Sequence, residues 1–183
     1  MPDAPSPCPS WPLRLTLRDR RQVTIRPIRG EDSSAVVEAF KGLSADSRYR
    51  RFMAPLRDLS AQTVQATTHP DPARELVLVA VAGTSTAGAL VGGVRYVAAD
   101  RDRCEFAVTI IDAWQGVGLA RQLMEQLIAI AGARGFHTMH GYVLASNHPM
   151  LALARRLGFD DQPCPEEHGV RLITRPLPSA HPT

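Results

Sequence analysis

Between Ile110 and Met124 the chain passes from one kind of periodicity to another. Phe106 to Ile111 is an apolar run of strand character. From Leu119 onward, Leu119, Leu123, Leu127, Ile130 and Ala131 recur at three- and four-residue spacing, which describes one face of a helix. The junction, Asp112 to Gly118, carries Gly116 and Gly118, so the stretch reads as strand, glycine turn, helix. A backbone without Cβ turns sharply and lets an anion come close. The first amides of a helix have no partners within it and carry partial positive charge. Together these features predict a phosphate site from Gly116 to Ala120. The turn lacks the Gly-Lys-Ser/Thr ending of a nucleoside-triphosphate loop and the three-glycine dinucleotide pattern.

The surrounding sequence reads as one α/β domain over residues 13–177, with a flexible lead-in at 1–12 and a tail at 178–183. Met1 to Pro12 holds five prolines, which block helix and sheet alike. Leu13, Leu15 and Leu17 alternate with Arg14, Thr16 and Arg18. A turn at Asp19 to Arg21 then leads to Val23 and Ile25, predicting a hairpin that Pro27 ends. Val36, Val37, Phe40 and Leu43 mark a first helix. Ser44 or Asp46 caps a second through Arg51, and Ser60 a third through Thr67. Leu76 to Ala82, Ala89 to Val97 and Cys104 to Ile111 form an antiparallel meander. The long helix from Gly116 stops near Arg134. Thr138 to Leu144 is a strand, Met150 to Leu157 a helix, and Val170 to Ile173 a last strand. The expected fold is a mixed, mostly antiparallel sheet flanked by helices.

No apolar stretch approaches the roughly 20 residues that span a bilayer. The N-terminus has no apolar signal core, which argues against secretion. Three scattered cysteines make neither a disulfide framework nor a metal cluster, so a cytoplasmic protein is expected. A net charge of +3 suits an anionic cofactor or an acidic partner without pointing to nucleic acid.

Gln115, Gly118 and Ala120 fill the defined positions of a Gln/Arg-x-x-Gly-x-Gly/Ala signature, and the stretch resembles that of the GNAT N-acetyltransferases. Asn147, followed by Leu157-Gly158-Phe159, is similar to the family's second signature. Three further pieces resemble the acetyltransferase domain of bacterial protein lysine acetyltransferases, which modify acyl-CoA synthetases. They are Ile25-Arg26-Pro27-Ile28-Arg29 with Asp32, Leu43-Ser44 through Ser47-Arg48-Tyr49 to Arg51-Phe52, and Glu105 ten residues before Gln115.

The resemblance implies a sheet that splays between its fourth and fifth strands to admit acetyl-CoA. Gln115, Gly116, Val117, Gly118, Leu119, Ala120 and Arg121 would hold the pyrophosphate, and Asn147 would touch the pantetheine or pyrophosphate arm. Backbone groups near Val108 and Ile110 would align the pantetheine and meet the oxyanion. The implied reaction moves acetyl to a primary amine, first of all a protein lysine. A small-molecule amine, a protein N-terminus and a non-catalytic acetyl-CoA sensor remain alternatives.

Glu105 is the candidate base. A lysine, with a reference pKa of roughly 10.4, must lose a proton before it can attack the thioester. A carboxylate in a partly desolvated cleft takes that proton for a gain of roughly 10²–10⁴-fold. The family's tyrosine, seven residues after the asparagine, is replaced by Ala154. A thiol with a pKa near roughly 8.5 leaves tolerably without an acid. The remaining conspicuous residues are expected to be structural. Arg48, Arg50 and Arg51 form a solvated helix face, with Tyr49 and Phe52 packing inward. Trp114 packs, and His137, His140 and His148 have no catalytic partners.

Overall fold

The computed structural model describes residues 10–178 and contains one eight-stranded sheet. The expected lead-in and tail, and Cys8, fall largely or wholly outside those residues. In chain order the strands are β1 (Leu13–Thr16), β2 (Gln22–Pro27), β3 (Glu75–Ala82), β4 (Leu90–Ala98), β5 (Arg103–Ile110), β6 (Thr138–Leu144), β7 (Asp160–Pro163) and β8 (Val170–Pro176). The helices are α1 (Ser33–Lys41), α2 (Ala45–Phe52), α3 (Ala61–Thr68), α4 (Leu119–Ala133) and α5 (His148–Arg156). Spatial order is β1-β2-β3-β4-β5-β6-β8-β7, and every pairing is antiparallel except β5 with β6.

The continuous apolar run of β3 follows from its central place, because both of its faces are covered. Leu76, Leu78 and Ala80 join the main core with Leu119, Leu123, Met124 and Leu127 of α4. Val77, Val79 and Val81 face the other way, onto Val36 and Ala39 of α1. Helix α4 thus covers one face of the sheet, and α1 packs on the other.

That second layer is pinned at its root by a buried ion pair. Arg26 at the end of β2 is 3% exposed and binds both carboxylate oxygens of Asp32 at 2.8 Å. Asp32 Oδ2 also accepts from the Arg29 backbone N–H at 2.8 Å, and Arg26 Nε donates to the Thr86 carbonyl at 2.7 Å. Burial alone would raise the Asp32 carboxyl. The Arg26 guanidinium and the Arg29 N–H outweigh it and hold the carboxyl below its ordinary range.

The sheet opens along the β5 edge that carries Val108 and Ile110, as expected, but β5 is the fifth strand of this chain and not the fourth, and β4 and β5 pair along their whole length. A further edge strand, β7, follows α5. Its Asp-Asp-Gln-Pro sequence has no apolar alternation to announce it. The caps do form as read: Ser44 accepts from Ser47 N and Ser60 from Thr63 N. Among the described residues no helix is long and apolar enough to cross a membrane.

Candidate active site

Strands β5 and β6 pair only where Arg103, Cys104 and Glu105 meet Thr138, Met139 and His140. Beyond Glu105 they part, β6 continuing beside β8 and β5 beside β4. A cavity of about 800 Å³ fills the opening. Ile111 N donates to Val91 O on the β4 side. Backbone groups alternate along a strand, so those of Val108 and Ile110 turn toward the unpaired edge. The Ile110 carbonyl is already engaged, because Gln115 Nε2 donates to it at 3.0 Å.

At the end of the opening the chain makes a 3-10 turn at Asp112–Trp114 and passes through Gly116 (φ 75°) and Gly118 (φ 91°) into α4. Both angles lie in the left-handed region that glycine alone enters freely. The helix starts at Leu119, three residues later than the sequence suggested, because these glycines form the turn rather than its first coil. No side chain caps α4. Its first amides are therefore left for an outside acceptor, as a phosphate cradle requires. Arg18, Arg121 and Arg156 line the same cavity.

The loop is held from two sides that the sequence did not reveal. From the β1–β2 hairpin, Arg18 N donates to the Val117 carbonyl and Arg21 Nη1 to the Ala113 carbonyl at 3.0 Å. The Arg21 guanidinium also lies 3.9 Å from the Trp114 ring centre, which itself packs on the core. From α2, Ser44 N donates to Asp112 Oδ1 at 3.0 Å, and Gln115 Nε2 donates to Ser47 Oγ at 3.2 Å. Gln115 thus ties loop, strand and helix together.

Of the predicted residues, Glu105, Val108, Ile110, Gln115, Gly116, Gly118, Leu119, Ala120, Arg121 and Asn147 all line the cavity, and Val117 does not. Asn147 caps α5, its Oδ1 accepting from Met150 N at 3.3 Å. Ala154 is buried in the core, whereas Pro149, Met150, Leu153 and Arg156 of α5 meet the cavity. Cys104 is fully buried, which pushes its thiol up to about 12 and leaves it inert.

Glu105 stands at the apex where the strands part. Its side chain is 51% exposed, more open than the partly desolvated cleft expected for it. His140 does have a neighbour, contrary to the sequence reading. Its Nε2 lies 3.9 Å from Glu105 Oε2 on the facing strand. Burial pushes the imidazole below its ordinary range, against the pull of Glu105. The α2 arginines correct another expectation. Arg51 turns inward and donates from Nε to Thr109 Oγ1 at 2.9 Å, and Arg48 lies over Phe40, while Tyr49 is the exposed residue at 47%. Phe52 packs on Phe40 as expected.

The family model of the acetyltransferase (GNAT) domain matches residues 22–160. An acetyltransferase of Pseudomonas aeruginosa is 34% identical over 153 residues, 83% of this chain and 82% of that protein. The GNAT domain of S. lividans PAT superposes with a TM-score of 0.83 at 31% identity, covering 92% of this chain and 99% of that one. The fold also matches yncA of Salmonella typhimurium, solved with its cofactor acetyl-CoA, at TM-score 0.65 and 22% identity over 88% of this chain and 96% of that one. An open strand edge leading to an uncapped helix start, within a sequence matched over most of its length, identifies the chain as an enzyme of the GNAT acetyltransferase family.

Proposed function

We propose that this acetyltransferase moves the acetyl group of acetyl-CoA to the side-chain amine of a protein lysine, with Glu105 as general base and residues 13–177 as the catalytic domain. Acetyl-CoA supplies an activated acyl group. The chain's own residues bind it, orient it and remove a proton. Backbone amides from Gly116 to Arg121 take the pyrophosphate. Asn147 lies beside the arm, and the edge of β5 at Val108 and Ile110 lies along the pantetheine. The lysine ammonium gives a proton to Glu105, the freed lone pair attacks the thioester carbonyl, the C–S bond breaks and an amide forms. The thiolate then takes up a proton.

The observation that carries this reading is the setting of Glu105. It sits at the apex of the opening, in a cavity also lined by Glu166 and Glu167. The Tyr142 phenol beside them is pushed up by burial and by the charges of Glu105 and Glu166. Three such carboxylates attract a cationic side chain, and a lysine stem is long enough to enter from the surface. The likeness to the GNAT domain of S. lividans PAT, together with the sequence's resemblance to protein lysine acetyltransferases, supports the same acceptor. An acyl-CoA synthetase is the proposed partner.

The test is incubation with labelled acetyl-CoA and host lysate, followed by mass spectrometry. Label on lysine side chains of an acyl-CoA synthetase is expected. Label confined to small molecules would overturn the protein acceptor.

The cradle is tested without any acceptor. A ligand specific for the native state at a hundredfold excess over Kd stabilises it by about 2.7 kcal/mol. Acetyl-CoA is therefore expected to raise the melting temperature of the wild type by several degrees. Gly118→Val is expected to lose that rise. A Cβ at Gly118 meets Arg18 Nε only at 3.5 Å, so the damage comes from the φ of 91° rather than from a clash. An undiminished rise in the variant would remove this loop from the cofactor site.

A further inference from the structure

On the α1 face of the sheet, a second cavity of about 170 Å³ lies behind the first and shares Arg51, Phe52, Ala107 and Thr109 with it. Its walls are mostly apolar, with Val36, Phe40, Val77 and Val94 among them, and the only charged groups on them are two guanidiniums, Arg51 and Arg95, beside the hydroxyls of Thr63, Thr67 and Thr109. Residues directly opposite one another on neighbouring strands share a face. The register Val97↔Glu105, Arg95↔Ala107 and Gly93↔Thr109 therefore sets Arg95 and Glu105 on one face, in adjacent rows.

Neither guanidinium is saturated. Arg51 bonds a hydroxyl, that of Thr109, and among the described residues it has no carboxylate within ion-pair distance. Arg95 gives Nη2 to Glu75 Oε2 at 3.2 Å, but its Nε is buried with no hydrogen-bond partner. A buried donor without a partner is costly, and two like charges beside one apolar cavity add to that cost. Burial and the nearness of Arg95 push Arg51 down to about 10, against the pull of Glu105. An anion between them removes both penalties. A carboxylate has the planar, two-oxygen geometry that a guanidinium fork binds best.

We propose that Arg51 and Arg95 form a carboxylate subsite for the acceptor, so that the amine presented to Glu105 is accompanied by a carboxylate seated between the two guanidiniums. The assignment rests on Glu105 being the point where the acceptor amine docks. The carboxylate comes either from an acidic side chain flanking the target lysine or from the main-chain carboxylate of a free amino acid.

Two matched pairs of acceptors separate these sources, with CoA release as the readout. One pair is a lysine peptide carrying Glu or Gln beside the lysine. The other is L-lysine against L-lysinamide. In the wild type, one pair is expected to favour its carboxylate-bearing member by about 10–100-fold in kcat/KM, the worth of a hydrogen bond to a charged group. Arg51→Gln is expected to bring that ratio near one, and Arg51→Lys to keep part of it. A wild-type ratio near one in both pairs overturns the subsite, as does a ratio that survives Arg51→Gln. Should a variant fail to fold, the wild-type ratio alone decides. Should no acceptor turn over, the acceptor reading itself fails. The subsite is then judged by calorimetric binding of L-lysine against L-lysinamide, where equal affinity overturns it.

Discussion

Glu105→Gln is expected to lower kcat by roughly 10²–10⁴-fold, the range of general-base catalysis, while acetyl-CoA binds almost as before. The substitution keeps the side chain's shape at the apex of the opening and removes only the proton acceptor. A higher pH should restore part of the lost rate, because more of the lysine is then already neutral. The pH–rate profiles of the two proteins between pH 6 and 10 distinguish three roles. A base gives the loss and the partial rescue. A group that binds the ammonium without taking its proton gives a raised KM and little rescue. A solvent-facing carboxylate gives neither, and an unchanged kcat would remove Glu105 from the mechanism.

The largest expected loss of stability comes from a residue far from that chemistry. Asp32→Asn leaves the Arg26 guanidinium, 3% exposed, without its counter-charge. Breaking a buried pair from one side costs about 3–5 kcal/mol, because the remaining charge stays desolvated. Denaturant unfolding at pH 7 reads this directly, and a loss below 1 kcal/mol would mean that water or the Thr86 carbonyl compensates. The pH dependence has a defined sign. The Asp32 carboxyl is held below its ordinary value in the folded state, so its stabilisation is fully present above the unfolded pKa, near roughly 3.9. It is lost as pH falls through the folded value. The gap between wild type and variant should therefore narrow in acid.

What the sequence made legible was local. Ser44 and Ser60 cap their helices through bonds three residues long, and the glycine turn joins residues adjacent in the chain. The strand-to-helix junction and the Asn147 cap belong to the same class. What escaped was set by distant partners. Arg21 meets Ala113 across 92 positions, Gln115 meets Ser47 across 68 and Arg51 meets Thr109 across 58. Periodicity describes one element and says nothing of what faces it. The run from Arg48 to Arg51 reads as a solvated face because charge usually marks solvent. Here Arg51 turns onto the sheet at Thr109 and Arg48 onto the Phe40 ring of α1, while Tyr49 looks outward. The depth of the opening escaped for a related reason. It depends on β6 joining β5 in parallel for three pairs and then leaving it, which no strand's own pattern encodes.

That short parallel contact also fixes one point of the opening. Among the described residues, the block from β1 to β5 and the block from β6 to β8 are joined along the ladder only at residues 103–105 and 138–140. Away from the ladder the two blocks share one core, with the Phe106 and Phe159 rings 5.2 Å apart. Glu105 and His140 are the last of the three pairs. The carboxylate proposed as the base thus stands on backbone held by a strand on either side, while the β5 edge beyond it has a strand on one side only. A substrate arm can take up that edge without changing the backbone that aims the carboxylate.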